Sequence, residues 1–113
     1  MPDKFIKEIS KLKTDLFRKD FLLTWEKERE ELEQILLIAN TLKILRDKNI
    51  STRCFDSGLA ISHFRDNSTR TRFSFASAAN LLGLEIQDLD EQKSQIAHGE
   101  TVRETANMIS FLT

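Results

Sequence analysis

The feature that most constrains this chain is a polar turn, Ser-Thr-Arg-Thr-Arg at residues 68–72, that lies between two apolar segments. The run before it, residues 59–64, is typical of a strand, and the run after it, residues 73–82, is typical of a helix that ends at Gly83. The first backbone N–H groups of a helix have no partner within the helix and lie at the positive end of its dipole. We therefore expect a strand–turn–helix unit whose turn can bind an oxyanion.

The side chains of this turn suit the same task. Ser68 is predicted to cap the helix, Thr69 and Thr71 add hydroxyl groups, and the guanidinium of Arg70 can bind two phosphate oxygens at once. The alternative is an ordinary capped helix with solvated arginines, because helix starts rich in Ser and Thr are common. The spacing alone leaves both interpretations open.

The rest of the chain predicts an α/β fold with a partial doubly wound parallel sheet, preceded by a long amphipathic helix. That helix is expected over residues 28–48 and should stop at Asn49. A second strand is expected at residues 84–89, parallel to the first because a helix-length crossover joins them. Thr101 and Glu104 form the capping box of a last helix. The apolar positions of the long helix follow helical spacing: Leu32, Ile35, Leu36, Ala39, Leu42 and Leu45. Leu37, Ile38 and Ile44 widen this stripe, so more than one side of the helix is expected to be buried.

Length and charge limit the alternatives. A chain of 113 residues allows one domain, which we place at residues 22–113 after an amphipathic arm at residues 1–21. A net charge of −1 argues against nucleic acid and anionic membranes as partners. The chain contains no apolar run as long as a membrane span and no secretory signal, so a cytoplasmic location is predicted. The single cysteine, Cys54, rules out an internal disulfide and a cysteine-based zinc cluster, and is expected to be partly buried.

Two segments resemble the aspartate and ornithine carbamoyltransferase family. Residues 64–75 fit its carbamoyl-phosphate signature, which is Phe, three residues, Ser-Thr-Arg-Thr-Arg, two residues, then Phe. Residues 94–105, Ser-Gln-Ile-Ala-His-Gly-Glu-Thr-Val-Arg-Glu-Thr, resemble the family's swinging loop and the helix after it. The resemblance covers roughly residues 22–113. The sequence of residues 56–67 is most similar to that of the knotted carbamoyltransferase subgroup.

The sequence also departs from the family pattern. Arg65 and Asp66 stand where a Glu-Lys pair is usual before the signature, and Ala76 stands where a Glu is usual after its second Phe. Both departures argue against classification as an ornithine or aspartate enzyme.

The resemblance implies a reaction and a set of binding residues. In the family, an amine attacks the carbonyl carbon of carbamoyl phosphate and phosphate leaves, without a covalent enzyme intermediate, a metal or a cofactor. Positioning and electrostatics then carry the catalysis. By the same resemblance, phosphate is bound by Ser68, Thr69 and Arg70, Thr71 lies near the carbonyl, and Gln95 reaches carbamoyl phosphate in a neighbouring subunit's site.

Two further residues are candidates with a competing interpretation. Arg72 either contacts the ligand or is a structural residue paired with a carboxylate. His98 lies on the loop of Gln95, and its alternative is a solvent-facing histidine. His63, at the end of the first strand, is interpreted as a packing residue.

Family enzymes are trimers with sites shared between subunits, and they have parts that this sequence lacks. These are a later arginine, a His-Pro-x-Gln segment and a second domain that binds the amine co-substrate, an amino acid or a related compound. The chain ends at Thr113 within an apolar run. We therefore expect an N-terminal portion of a carbamoyltransferase of amino acid metabolism, able to bind carbamoyl phosphate but inactive alone. The alternative is a non-catalytic module that binds an anion or a partner through its N-terminal region. A nucleotide-binding domain is disfavoured because the glycine-rich phosphate loops are missing.

Overall fold

The computed structural model describes residues 7, 11, 15–64, 68–89 and 101–112. The chain divides into two compact units, residues 1–51 and residues 52–113. The arm expected at residues 1–21 lies largely outside the described residues, and its boundary stays a prediction. The described elements are a short 3₁₀ helix Thr24–Glu26, helix α1 Arg29–Asp47, strand β1 Leu59–Ser62, helix α2 Thr69–Leu82, strand β2 Glu85–Asp88 and helix α3 Val102–Leu112.

Helix α1 dominates the first unit, and its ends follow from local sequence. Glu28 forms a reciprocal capping box with Glu31, whose Oε1 accepts the Glu28 backbone N–H at 2.9 Å. At the other end Asn49 adopts a φ of 57°, and the N–H of Ile50 donates to the carbonyl of Leu45 at 2.9 Å. The predicted helix and its stop at Asn49 are confirmed.

The buried side of α1 agrees in part with the predicted, widened stripe. It includes the predicted Leu37, Ile38 and Leu45, but it is centred on Thr41, which is buried and was not predicted. Leu36, which was placed in the stripe, is 64% exposed. Apolar residues occur on nearly all sides of this helix, so hydrophobic spacing alone could not single out the buried side. The hydroxyl of Thr41 donates to the carbonyl of Leu37 at 2.7 Å, which makes its burial tolerable.

The second unit is built on a β1–α2–β2 crossover. The two strands are parallel, and the register pairs Leu59 with Glu85 and Ser62 with Asp88. A parallel pair needs a crossover connection of a dozen or more residues, and α2 with its 14 residues supplies it. The predicted strand–helix–strand arrangement and the parallel sheet are confirmed over the described residues. The observed strands are shorter than the predicted ones, with four residues each.

One face of α2 packs toward the sheet. Ala79 is buried, at 5% exposure, and Phe75, Ala76 and Leu82 are half-buried on the same face. The ring of Phe75 makes an edge-to-face contact with Phe64 just after β1, with centroids 6.2 Å apart. Small residues on this face allow the helix to approach the strands closely.

Gly83 ends α2 in a conformation that other residues rarely adopt. Its φ is 100°, and a Cβ built on it would lie 2.0 Å from the carbonyl oxygen of Phe55. The N–H of Leu84 reaches back to the carbonyl of Ala79 at 3.0 Å, as in a Schellman motif. The N–H of Phe55 caps the carbonyl of Leu82 at 3.0 Å, so the turn is held tightly against the preceding segment.

Helix α3 begins with the predicted capping box. The Glu104 N–H donates to Thr101 Oγ1 at 3.1 Å, and the Thr101 N–H donates to Glu104 Oε2 at 3.2 Å. Within the described residues, none of the helices has both the length and the apolar character needed to cross a membrane. Cys54 is exposed, contrary to the expectation of partial burial, because it lies in the irregular segment before β1.

Candidate anion-binding site

The start of α2 presents three backbone N–H groups before the first bond of the helix. Ser68 is the N-cap residue, with an extended backbone at φ −76° and ψ 101°. The first intrahelical bond runs from the Arg72 N–H to the Ser68 carbonyl at 3.1 Å. The N–H groups of Thr69, Arg70 and Thr71 therefore precede the helical hydrogen-bond ladder. All three residues and Ser68 are exposed, so this corner is open to a ligand.

The Ser68 side chain does not cap the helix as predicted. It occupies the N-cap position but makes no side-chain bond to a backbone N–H. Its hydroxyl donates instead to Thr71 Oγ1 at 2.9 Å, because Thr71 offers an acceptor one turn further along. The three leading N–H groups consequently have no side-chain acceptor within the described part of the chain. Their hydrogen-bonding capacity remains available to an external anion.

Arg70 supplies a positive charge at the same corner. The residue is exposed, and within the described ranges its guanidinium makes no ion pair or hydrogen bond. A guanidinium is always charged and presents a planar set of donors that matches phosphate oxygens. Arg70 is thus available for a ligand, as the sequence predicts, and its role in binding stays a prediction.

Arg72 has a different environment, because it is anchored to the ends of the strands. Its Nη1 lies 2.6 Å from Oδ2 of Asp88, and its Nη2 donates to the carbonyl of Phe64 at 3.4 Å. The other carboxylate oxygen of Asp88, Oδ1, accepts the Ser62 hydroxyl at 2.7 Å. Arg72 is therefore paired with a carboxylate, which is the structural alternative considered for it from the sequence. Whether it also contacts a ligand remains a prediction.

Asp88 and Ser62 are the residues that the sequence interpretation missed. Both are the last residues of their strands, and they are register partners in the parallel sheet. A usable signal existed, since parallel strands end at the same edge and polar residues there come together with the helix start.

Two cavities accompany this part of the fold, and Ser68–Thr71 line neither of them. One, of about 280 Å³, adjoins the ion pair and is lined by Ser62, Arg72, Phe73, Ala76, Ile86 and Asp88. The other, of about 230 Å³, is lined by His63, Leu89, Val102, Thr105, Ala106, Ile109 and Ser110. His63 was interpreted as a packing residue but is exposed at the mouth of the second cavity. Among the described residues, the predicted phosphate corner is exposed and lines neither of these two cavities.

Two predicted site residues fall outside the described residues. They are Gln95 and His98, which the sequence places on a polar loop. Their roles remain predictions from the sequence.

Residues 19–113 match the family model described as the carbamoyl-phosphate-binding domain of aspartate/ornithine carbamoyltransferases. The match covers most of the chain and includes both the β1–α2–β2 unit and the Ser-Thr-Arg-Thr-Arg turn. The chain belongs to the aspartate/ornithine carbamoyltransferase family.

Individual relatives agree with this assignment. The chain is 69% identical over 109 residues to the "Putative carbamoyltransferase YgeW" of Escherichia coli (strain K12), a match that covers 96% of this chain and 28% of the relative. It is 36% identical over 92 residues to the ornithine carbamoyltransferase of Carboxydothermus hydrogenoformans, covering 81% of this chain and 30% of that protein. The chain therefore spans between a quarter and a third of the length of these relatives.

A solved structure shows the same fold. The catalytic subunit of M. jannaschii aspartate transcarbamoylase superposes with a TM-score of 0.73 at 28% sequence identity. The superposition covers 84% of this chain and 31% of that subunit. The α/β class predicted from the sequence, with a partial carbamoyl-phosphate-binding domain, is confirmed.

Proposed function

We propose that this chain binds carbamoyl phosphate at the start of α2 and is the N-terminal portion of a carbamoyltransferase. The observation that carries the proposal is one exposed corner at which, among the described residues, three backbone N–H groups and the guanidinium of Arg70 have no hydrogen-bond or ion-pair partner. Membership of a family defined by a carbamoyl-phosphate-binding domain supports the choice of this anion over others.

Each group at the corner has a part in the proposed complex. The N–H groups of residues 69–71 and the Arg70 guanidinium bind the phosphate oxygens, where charge grows as phosphate departs. The Thr71 hydroxyl oxygen accepts a hydrogen bond from the Ser68 hydroxyl. The Thr71 O–H is therefore free to donate a hydrogen bond to the carbonyl oxygen of the ligand. Gln95 completes the site from a neighbouring subunit, while Arg72 and His98 are supporting candidates.

The proposed reaction belongs to the longer protein. The nitrogen lone pair of an amine attacks the carbonyl carbon, a C–N bond forms, and the bond from that carbon to the phosphate oxygen breaks. Phosphate takes the bonding electrons, and the amine loses a proton to a base or to water. We infer an amino acid or a related compound as the amine, and a cytoplasmic homotrimer as the working enzyme. Residues 1–113 by themselves are proposed to bind the ligand, whereas turnover is proposed only for the longer protein.

Replacing Arg70 tests the site. Isothermal calorimetry with carbamoyl phosphate should show binding to the chain, and Arg70→Ala should weaken it about tenfold or more, because a charge-assisted bidentate contact is lost. Arg46→Ala is the matched control, since it removes an exposed positive charge at the end of α1 in the other unit. Binding that survives Arg70→Ala unchanged, or falls equally in Arg46→Ala, would place the ligand elsewhere.

A second candidate function is a partner-binding module. The observation that favours it is a pair of large apolar side chains within residues 1–21 that are mostly exposed, Phe17 at 78% and Phe21 at 52%. Exposed apolar side chains of this size are typical of a binding contact. The partner-binding hypothesis places the contact in the N-terminal region rather than at the start of α2.

A further inference from the structure

We propose that Asp88 is a positioning residue for the anion site, acting through Arg72 to hold the first turn of α2 in its binding orientation. The inference rests on the proposed function, because it concerns how that same site is kept in shape. Asp88 lies at the end of β2, sixteen residues from Arg72 in the chain. Its carboxylate connects the sheet to the helix that presents the N–H groups.

Both oxygens of the Asp88 carboxylate are engaged. Oδ1 accepts the hydroxyl of Ser62, which is 4% exposed, and Oδ2 pairs with Arg72. Because Ser62 and Asp88 are register partners at the ends of the two strands, the carboxylate is fixed relative to the sheet edge. Charge-assisted hydrogen bonds of this kind are short and directional.

Arg72 connects the Asp88 carboxylate to the first turn of α2. Its backbone N–H makes the first intrahelical bond, to the carbonyl of Ser68, while its side chain holds Asp88 and the Phe64 carbonyl. Its Nε is buried and has no partner among the described residues. The guanidinium therefore depends on its two Nη contacts to stay in place, and Asp88 supplies the shorter one.

Two effects of removing the Asp88 charge have opposite signs. A carboxylate near an anion site repels the ligand, so charge removal alone should strengthen phosphate binding. Loss of positioning should weaken binding, because the leading N–H groups would no longer be held in a single orientation. The direction of the change thus separates the two effects.

The test is the affinity of Asp88→Asn for inorganic phosphate and for carbamoyl phosphate, measured by calorimetry at a temperature where every variant is folded. We expect binding to be weaker by roughly fivefold. Glu85→Gln is the matched control, because it removes the same charge from an exposed position on the same strand, and its affinity should stay within about twofold of the unchanged chain. Unchanged or tighter binding by Asp88→Asn would overturn the proposal.

Two further variants separate positioning from a general loss of stability. Asp88→Glu keeps the carboxylate and should recover most of the affinity, whereas equal weakness of the Glu and Asn variants would contradict the role of the charge. The double variant Arg72→Gln with Asp88→Asn should bind no more weakly than Arg72→Gln alone, because both changes break one contact. Additive losses would show that Asp88 acts by another route.

Failure of this inference is distinguishable from failure of the proposed function. If Arg70→Ala abolishes binding while Asp88→Asn leaves it intact, the site stands and the positioning role is wrong. If the unchanged chain is folded and binds neither ligand, both proposals are wrong.

Discussion

At the scale of single residues, the two arginines of the turn have the same side chain but different surroundings. Arg72 is 28% exposed in its side chain and is neutralised by Asp88, whereas Arg70 is exposed and unpaired within the described chain. The guanidinium of Arg72 therefore holds a contact between helix and sheet, and that of Arg70 is the one proposed to bind the ligand. The Ser68 hydroxyl donates a hydrogen bond to Thr71 and therefore does not cap the backbone N–H groups at the start of α2.

The absence of a side-chain cap on α2 predicts an unusual response to mutation. Ser68→Ala should lower the free energy of unfolding by only a few tenths of a kcal/mol, because no capping bond to the backbone is lost. Thr101→Ala, its matched comparison at the start of α3, should cost about 1 kcal/mol, since it removes the bond to the Glu104 N–H. Urea unfolding monitored by circular dichroism measures both. A larger loss for Ser68→Ala would indicate that its hydroxyl caps the helix in solution.

At the scale of elements, local sequence signals set where the elements of the β1–α2–β2 unit begin and end. The apolar run before the turn predicts β1, the small residues predict a helix that lies close to the sheet, and Gly83 predicts where that helix ends. The structure confirms each of these, because local signals and tertiary packing agree there. This unit fixes the direction in which the start of α2 points.

Gly83→Ala should be far more damaging than an ordinary glycine substitution. The new Cβ would meet the Phe55 backbone carbonyl oxygen at 2.0 Å, at a φ of 100°, so we expect a loss of about 3 kcal/mol or more. Gly58→Ala is the comparison, because its Cβ would meet the end of the Leu84 side chain at 2.8 Å. That side chain can rotate, and about 1–2 kcal/mol should be lost from the strained backbone alone. Thermal and urea unfolding should rank the two variants in this order; equal losses would contradict the account of the turn.

The sequence predicts the helices, the strands and the turn, but not the contacts that depend on the register between β1 and β2. The capping box of Thr101 and Glu104, the stop at Asn49 and the parallel strands follow from local patterns. The buried side of α1 does not, because its apolar residues surround the helix and only packing selects Thr41 over Leu36 as a buried position. Parallel strands that end at one edge bring polar residues to the helix start, but this pattern does not single out Asp88 as the partner of Arg72, because the register that places Asp88 beside Ser62 is a tertiary contact.

At the scale of the whole molecule, residues 19–113 match the carbamoyl-phosphate-binding domain of the aspartate/ornithine carbamoyltransferase family. The chain spans 28% of the length of the Escherichia coli relative. The proposed amine site is not assigned to any of these residues, whereas Gln95 is proposed to reach a neighbouring subunit. Anion binding at the start of α2 is therefore the property that we propose for residues 1–113 by themselves.

Deleting residues 1–21 separates the two proposed functions at this scale. Because the helix start belongs to the second compact unit, residues 52–113, we expect carbamoyl phosphate affinity to stay within about twofold of the full chain. Calorimetry measures the affinity, and analytical ultracentrifugation measures self-association in parallel. Retained association together with lost ligand binding would contradict this prediction and the assignment of the site.

The central claim is that the leading N–H groups of α2 bind phosphate, and an amide NMR titration tests it most directly. Adding inorganic phosphate or carbamoyl phosphate to the ¹⁵N-labelled chain should shift the resonances of Thr69, Arg70 and Thr71 most strongly, with saturation at a common dissociation constant. The Arg70→Ala chain should show the same shifts only at higher ligand concentration. Saturable shifts confined to residues away from this corner, or no saturable shift in a folded chain, would contradict the claim.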